Sequence, residues 1–227
     1  VAVDWLLQRA IDSGQLLPAP AGAKPLTPAT SGYVVLGMGK LGGRELNYSS
    51  DIDLIVLFDS DKARARDGSD AHEVLVRLTQ RFVRYIHERT GDGYVQRVDL
   101  RLRPDPNATP VALSFEAAEY YYQSAALTWE RAAFIKARPI AGDMAAGSDF
   151  LERIRPFIWR RSIDFSVTRD VQDLTIDMQQ HFGQDEFALP GFDVKRGRGG
   201  IRQIEFYIQV HQLLVGGRDA RVRATGS

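Results

Sequence analysis

Apolar and polar positions along the chain sort it into helical and extended stretches. VAVDWLLQRAI at the start reads as an amphipathic helix, and residues 14–32, rich in Pro, Gly and Ala, predict a linker. The apolar run YVVL (33–36) predicts a short strand leading into a glycine-rich segment, GMGKLGG (37–43). DIDLIVLFD (51–59) predicts a second strand, and DSDKARARDGSD after it a polar loop. Over 70–90, Val74, Leu75, Leu78, Phe82 and Ile86 recur at helical spacing. GDG (91–93) turns the chain into a third strand, YVQRVDLRLRP (94–104). Residues 116–138 and 149–181 read as helices separated by a turn around Pro139–Gly142, residues 183–200 as a loop, and 201–215 as a final helix. This order predicts an α+β protein, a small mixed sheet followed by a helical part. Both ends read as cut from a longer chain.

Composition narrows the function classes. Apolar residues make up 44% and charged residues 26% of the 227, ordinary for a globular protein. Lys+Arg (29) balance Asp+Glu (29), so no global field draws the chain to nucleic acid or membrane. Basic residues cluster locally, at Arg97, Arg101 and Arg103, at Arg153, Arg155, Arg160 and Arg161, and at Lys195, Arg196, Arg198 and Arg202. Neutral overall charge with local basic clusters suits recognition of a small anion. The absence of cysteine excludes disulfides and thiolate metal sites. No apolar run approaches the ~20 residues of a membrane span and no signal peptide opens the chain, so a cytoplasmic setting is expected.

The strand at 51–58 carries the first candidate chemistry. Side chains alternate, so Asp51 and Asp53 share one face, about 7 Å apart, opposite Ile52, Leu54, Val56 and Phe58. Two solvated acids at a strand end are the plain alternative. On the third predicted strand, Val98, Leu100 and Leu102 line one face while Arg97, Asp99, Arg101 and Arg103 line the other. Three carboxylates on two strands, with arginines around them, suit a divalent cation held against a phosphate. Hard oxygen donors favour magnesium or manganese over zinc, and the 4 histidines are scattered. Gly37, Gly39 and Gly42 also spell a dinucleotide fingerprint, with Asp59 at the ribose position. After the second glycine only Lys40 to Ser50 lead to the second strand, too few for the full helix of a parallel crossover. What remains is a glycine turn, Gly37–Gly43, whose backbone N–H groups approach phosphates, with Lys40 and Ser50 as further contacts.

The segment GMGKLGGRELNYSSDIDLIVLFD resembles the signature of the glutamine synthetase adenylyltransferase/adenylyl-removing family, within the polymerase-β-like nucleotidyltransferase superfamily. The resemblance continues through RVDLRLRP (97–104), TWERAAFIKARPIAGD (128–143), RPFIWRRSIDFSV (155–167) and GGIRQIEF (199–206). It implies a nucleotidyltransferase-type catalytic domain over 33–143. Residues 1–32 would then be a partial N-terminal helix and linker, and 144–227 a truncated helical extension. The metal motif here, Glu45 to Asp53, is ELNYSSDID, which resembles the adenylyl-removing half; the adenylylating half has ELGYGSDAD. The implied reaction is phosphorolysis, in which inorganic phosphate releases AMP from a tyrosine of adenylylated glutamine synthetase as ADP. The resemblance implies Asp51, Asp53 and Asp99 as catalytic residues and metal ligands, Asp99 as a third ligand or as the group that orients the attacking phosphate. It implies phosphate contacts from Arg97, Arg101 and Arg103, with Lys136 and Arg138 as further candidates. It also implies regulation of the full-length enzyme by the PII signalling protein. Two other readings compete: an adenylyltransferase moving AMP from ATP to an acceptor, and a degenerate nucleotidyltransferase fold that binds a regulator. One position departs from the pattern, Gln203 standing where the family segment has Glu.

Overall fold

The computed structural model describes residues 1–19, 25–68, 70–160, 194 and 200–224, with the side chains of Thr128 and Arg202 left out. Its residues fall into two compact units. The first comprises 1–126 and 136–155; the second contains 127–135 and the described residues from 156 onward.

A mixed sheet organises the first unit. Strand β2 (Val34–Gly37) is central and pairs antiparallel with β3 (Ile52–Phe58) on one side and with β7 (Arg138–Gly142) on the other. The antiparallel β2–β3 pair excludes a dinucleotide-type crossover, as the short connection requires. β3 also pairs in parallel with two short strands, β5 (Val98–Asp99) beside its start and β6 (Leu113–Ser114) beside its end. The expected long third strand over 94–104 is therefore corrected to the two residues of β5, and β6 follows separately on the same flank of β3. Pro104, Pro106 and Pro110 lie between them, and a proline has no N–H to give to a ladder.

A second correction concerns 116–138. Helix α4 (Phe115–Ser124) ends early, α5 (Thr128–Phe134) belongs to the other unit, and the presumed turn at 139–142 is strand β7. Arg138 precedes Pro139, which biases it to extended backbone, and proline is tolerated on an edge strand such as β7. Gly142, at φ +81°, closes the strand where a Cβ would lie 2.1 Å from the Tyr33 carbonyl oxygen.

Helices cover both faces of the sheet. Helix α1 (Ala2–Asp12) and α3 (His72–His87) bury Leu6, Leu7, Leu75, Leu78 and Phe82 against Val35, Leu54, Val56 and Phe58. On the other face α6 (Met144–Arg153) passes so close to β2 that a Cβ on Gly147 would meet Val34 at 2.7 Å. Asp143 starts α6 by accepting from the Ala146 N–H at 3.0 Å, and its other oxygen accepts from Gly32 N–H at 3.1 Å. The segment expected to be a bare linker supplies β1 (Leu16–Pro18), which pairs antiparallel with β4 (Ala63–Ala65) from the expected polar loop.

In the second unit the buried Arg131 of α5 donates to the carbonyls of Phe157 and Ile158 at 3.0 and 3.1 Å. Helix α7 (Arg155–Ile158) precedes Trp159, on which Gly216 packs. Helix α8 (Ile201–Val215) buries Val210 and Leu213 and half-buries Gln203, while Tyr207 is exposed beside His211. The helix expected over 149–181 is seen only as α6 and α7; its part from 161 onward lies outside the described residues. So do Arg161, Lys195, Arg196 and Arg198 of the basic clusters. No described helix is long and apolar enough to cross a membrane.

Candidate active site

The glycine turn is built for close approach. β2 runs into the single-turn helix α2 (Gly39–Gly42), and the Met38 N–H donates to the Asp53 carbonyl at 2.9 Å. Gly39 has φ +48°, and a Cβ there would stand 3.3 Å from Asp53 Oδ2. Gly37 presses on Ile140, and Gly42 lies under the Lys136 carbonyl, where a Cβ would come within 2.0 Å. Gly43 follows as the C-cap, donating its N–H to the Gly39 carbonyl at 3.0 Å. Arg138 donates to the Gly42 and Leu41 carbonyls at 3.1 and 3.2 Å, satisfying the end of α2. Lys136 pairs with Glu45 at 2.6 Å. Both basic residues thus brace the turn. Lys40 lies at its half-exposed edge.

The three acids lie around the start of β3. Asp51 is exposed just before the strand, and Asp53 is half-buried within it, beyond which Leu54 to Phe58 are all buried. Asp99 is the register partner of Asp53 across the parallel β3–β5 pair. Loop and β5 are tied together by side chains: Gln96 donates to the Ser50 carbonyl, and Arg97 to Asp51 and the Ser49 carbonyl. The Ile52 N–H completes the tie by donating to the Arg97 carbonyl at 2.8 Å. Gln96 and Tyr94, whose hydroxyl accepts from Arg97 at 3.0 Å, were not singled out in the sequence. Spacing gives no signal for Gln96, whose acceptor is a distant backbone oxygen. Tyr94 lies three residues from Arg97, a cue too weak to stand out.

The arginines divide by environment. Arg101 grips Asp99 with Nε at 2.9 Å from Oδ2, and its N–H donates to Oδ1 at 2.8 Å. Those bonds hold the Asp99 carboxyl below its ordinary range, against partial burial that works the other way. Arg101 is in turn held more firmly protonated, first by Asp99 and more weakly by the charges of Asp53 and Asp51. Arg97 is raised by its bond to Asp51. The Tyr94 hydroxyl is lowered, first by its bond with Ser49 and then by the charge of Arg97. Arg103 is different. The chain leaves β5 after Asp99, so the expected shared strand face of Arg97, Asp99, Arg101 and Arg103 does not form. Arg103 donates instead to the carbonyls of Leu100, Pro106 and Pro110 at 2.9, 2.7 and 3.1 Å, tying the proline loop.

The donor set suits a hard divalent cation: carboxylates from one strand start and its parallel neighbour, beside a glycine that keeps the approach to Asp53 open. Among the described residues, no three acids or histidines stand close enough to enclose an ion with their side chains as they lie. Arg97 and Arg101 occupy two of the three carboxylates, so cation binding requires an exchange of partners.

Residues 1–153 match the family model of glutamate-ammonia ligase adenylyltransferase. The chain belongs to this family. A second model, GlnD PII-uridylyltransferase, matches residues 169–225. Among curated relatives, the bifunctional glutamine synthetase adenylyltransferase/adenylyl-removing enzyme of Rhizobium meliloti is 50% identical over 223 residues, 98% of this chain and 22% of the relative. The enzyme of that name from Xanthobacter autotrophicus is 51% identical over 223 residues, with the same coverage. That from Brucella suis is 50% identical over 192 residues, 85% of this chain and 20% of the relative. The chain thus spans about a fifth of the length of these glutamate-ammonia ligase adenylyltransferase relatives.

Proposed function

We propose that this chain is an adenylyl-removing domain that phosphorolyses the AMP–tyrosine bond of adenylylated glutamine synthetase. The observation that carries this reading is the pairing of Asp53 with Asp99 beside Asp51, within a motif of the adenylyl-removing type. An oxygen of hydrogen phosphate attacks the adenylyl phosphorus, the bond to the tyrosine oxygen breaks, and ADP leaves. The proton of the attacking phosphate ends on the phenol, so charge and atoms balance. A phenol of pKa about 10 is a tolerable leaving group. Magnesium or manganese, held by Asp51, Asp53 and Asp99, would offset negative charge on the attacking and leaving oxygens. Arg101, the most exposed of the site arginines, swings from Asp99 to receive the phosphate with its guanidinium fork. Gly39 lets the backbone approach the nucleotide, while Lys136 and Arg138 hold the turn in place.

The test is incubation with adenylylated glutamine synthetase, with and without phosphate, followed by nucleotide chromatography. ADP formation that saturates with phosphate supports the proposal. AMP released at a rate indifferent to phosphate means hydrolysis. Pyrophosphate formed from ATP while unmodified glutamine synthetase gains AMP means adenylyl transfer, the activity in the matched family's name.

A further inference from the structure

The end of α3 holds the segment that brings Arg97 and Asp99 to the site. The Ile86 carbonyl accepts from the N–H groups of Val95 and Gln96 at 3.2 and 2.9 Å. His87, the last residue of the helix, accepts from the Val98 N–H at Nδ1, 3.0 Å away. That bond has a topological reason. In a parallel ladder, successive residues turn their backbone groups to alternate sides. The Arg97 carbonyl points to β3, where it accepts from Ile52, so the Val98 N–H points away from the sheet. β5 is an edge strand of two residues, and among the described residues no further strand lies beyond it. The imidazole takes the place of that missing strand.

We propose that His87 is a positioning residue for the phosphorolytic site. Through the Val98 amide it fixes β5 against α3. It thereby sets Arg97 against Asp51 and Asp99 beside Asp53. The catalytic part of this inference rests on the function proposed above; the structural part does not. His87 is exposed at a helix end, so its replacement leaves the core untouched.

Two variants separate the role from general destabilisation. His87→Ala removes the acceptor, whereas His87→Asn places Oδ1 near the position of Nδ1. In the full-length chain, hydrogen-exchange mass spectrometry of the peptide spanning Val98 should show exchange about tenfold faster for His87→Ala. His87→Asn should retain wild-type protection. His87→Ala should also lower kcat for ADP formation about five- to tenfold, with little change in KM or melting temperature, and His87→Asn should restore it. Wild-type exchange and rate in His87→Ala, or a His87→Asn protein as impaired as His87→Ala, overturns the proposal. Failure of the wild-type protein to form ADP at all overturns the function instead, and the exchange measurement still decides whether His87 fixes β5.

Discussion

Asp99 and Arg101 grip each other tightly, and that grip has a pH signature. The folded-state value of the Asp99 carboxyl lies below its unfolded one, chiefly through Arg101. The pair therefore stabilises the fold above the ordinary aspartate range, about 3.9, and loses that contribution as pH falls through the depressed value. In Arg101→Ala the Asp99 titration should move back up toward the ordinary range, which carboxyl NMR would detect. The apparent KM for phosphate should rise in the same variant, whereas Asp99→Ala should mainly lower kcat. A titration unmoved by Arg101→Ala would show that another group holds the carboxylate ionised. Asp53→Asn removes a charge outside the core. It should cut ADP formation by about a hundredfold or more while leaving the melting temperature within a degree or two. Near-normal turnover in that variant would remove Asp53 from the metal assignment.

Among the elements, the glycine turn is the least tolerant of added volume. A Cβ at Gly42 would stand 2.0 Å from the Lys136 carbonyl oxygen and 2.5 Å from that of Gly37, both backbone atoms. Gly42→Ala should therefore destabilise by about 2 kcal/mol or more and lower activity through the displaced turn. Gly91→Ala is the control, since a Cβ there meets nothing within 4 Å. It should be nearly neutral. Chemical denaturation of both variants checks the pair, and equal stabilities would mean that the sheet yields easily around α2. The same turn shows why a fingerprint of glycines misleads: Gly42 is fixed by packing against backbone, under a turn whose carbonyls accept from Arg138.

Across the whole first unit, stability depends on a helix remote in sequence from the site. α1 buries Val3, Leu6, Leu7 and Ala10, and packs on both α3 and β7. Burying an aliphatic side chain contributes about 1.5–3 kcal/mol, so these positions together approach the whole stability of a typical domain, about 5–15 kcal/mol. A chain beginning at Tyr33 should accordingly expose Leu75, Leu78 and Phe82 and fail to unfold cooperatively. A cooperative melt for that truncated chain would show that α1 is dispensable.

The sequence alone determined whatever depends on local period and on residue type. The 3.6-residue spacing of Leu75, Leu78 and Phe82 gave α3 and its buried face, and two-residue alternation placed Asp51 and Asp53 together at the start of β3. The short stretch from Lys40 to Ser50 argued against a full crossover helix, and β2 and β3 do pair antiparallel, because chain length limits where a strand can return. Other features waited for the tertiary structure, because their partners are distant in sequence. Arg138–Gly142 is a strand only because the edge of β2 accepts it, and β1 forms only against Ala63–Ala65. Arg97, Arg101 and Arg103 look alike in the sequence. What distinguishes them is the acceptor each meets: Asp51, Asp99, or the carbonyls of a proline loop. A guanidinium binds whatever oxygen the fold brings within reach, and that choice is made by packing across the sheet rather than by spacing along the chain.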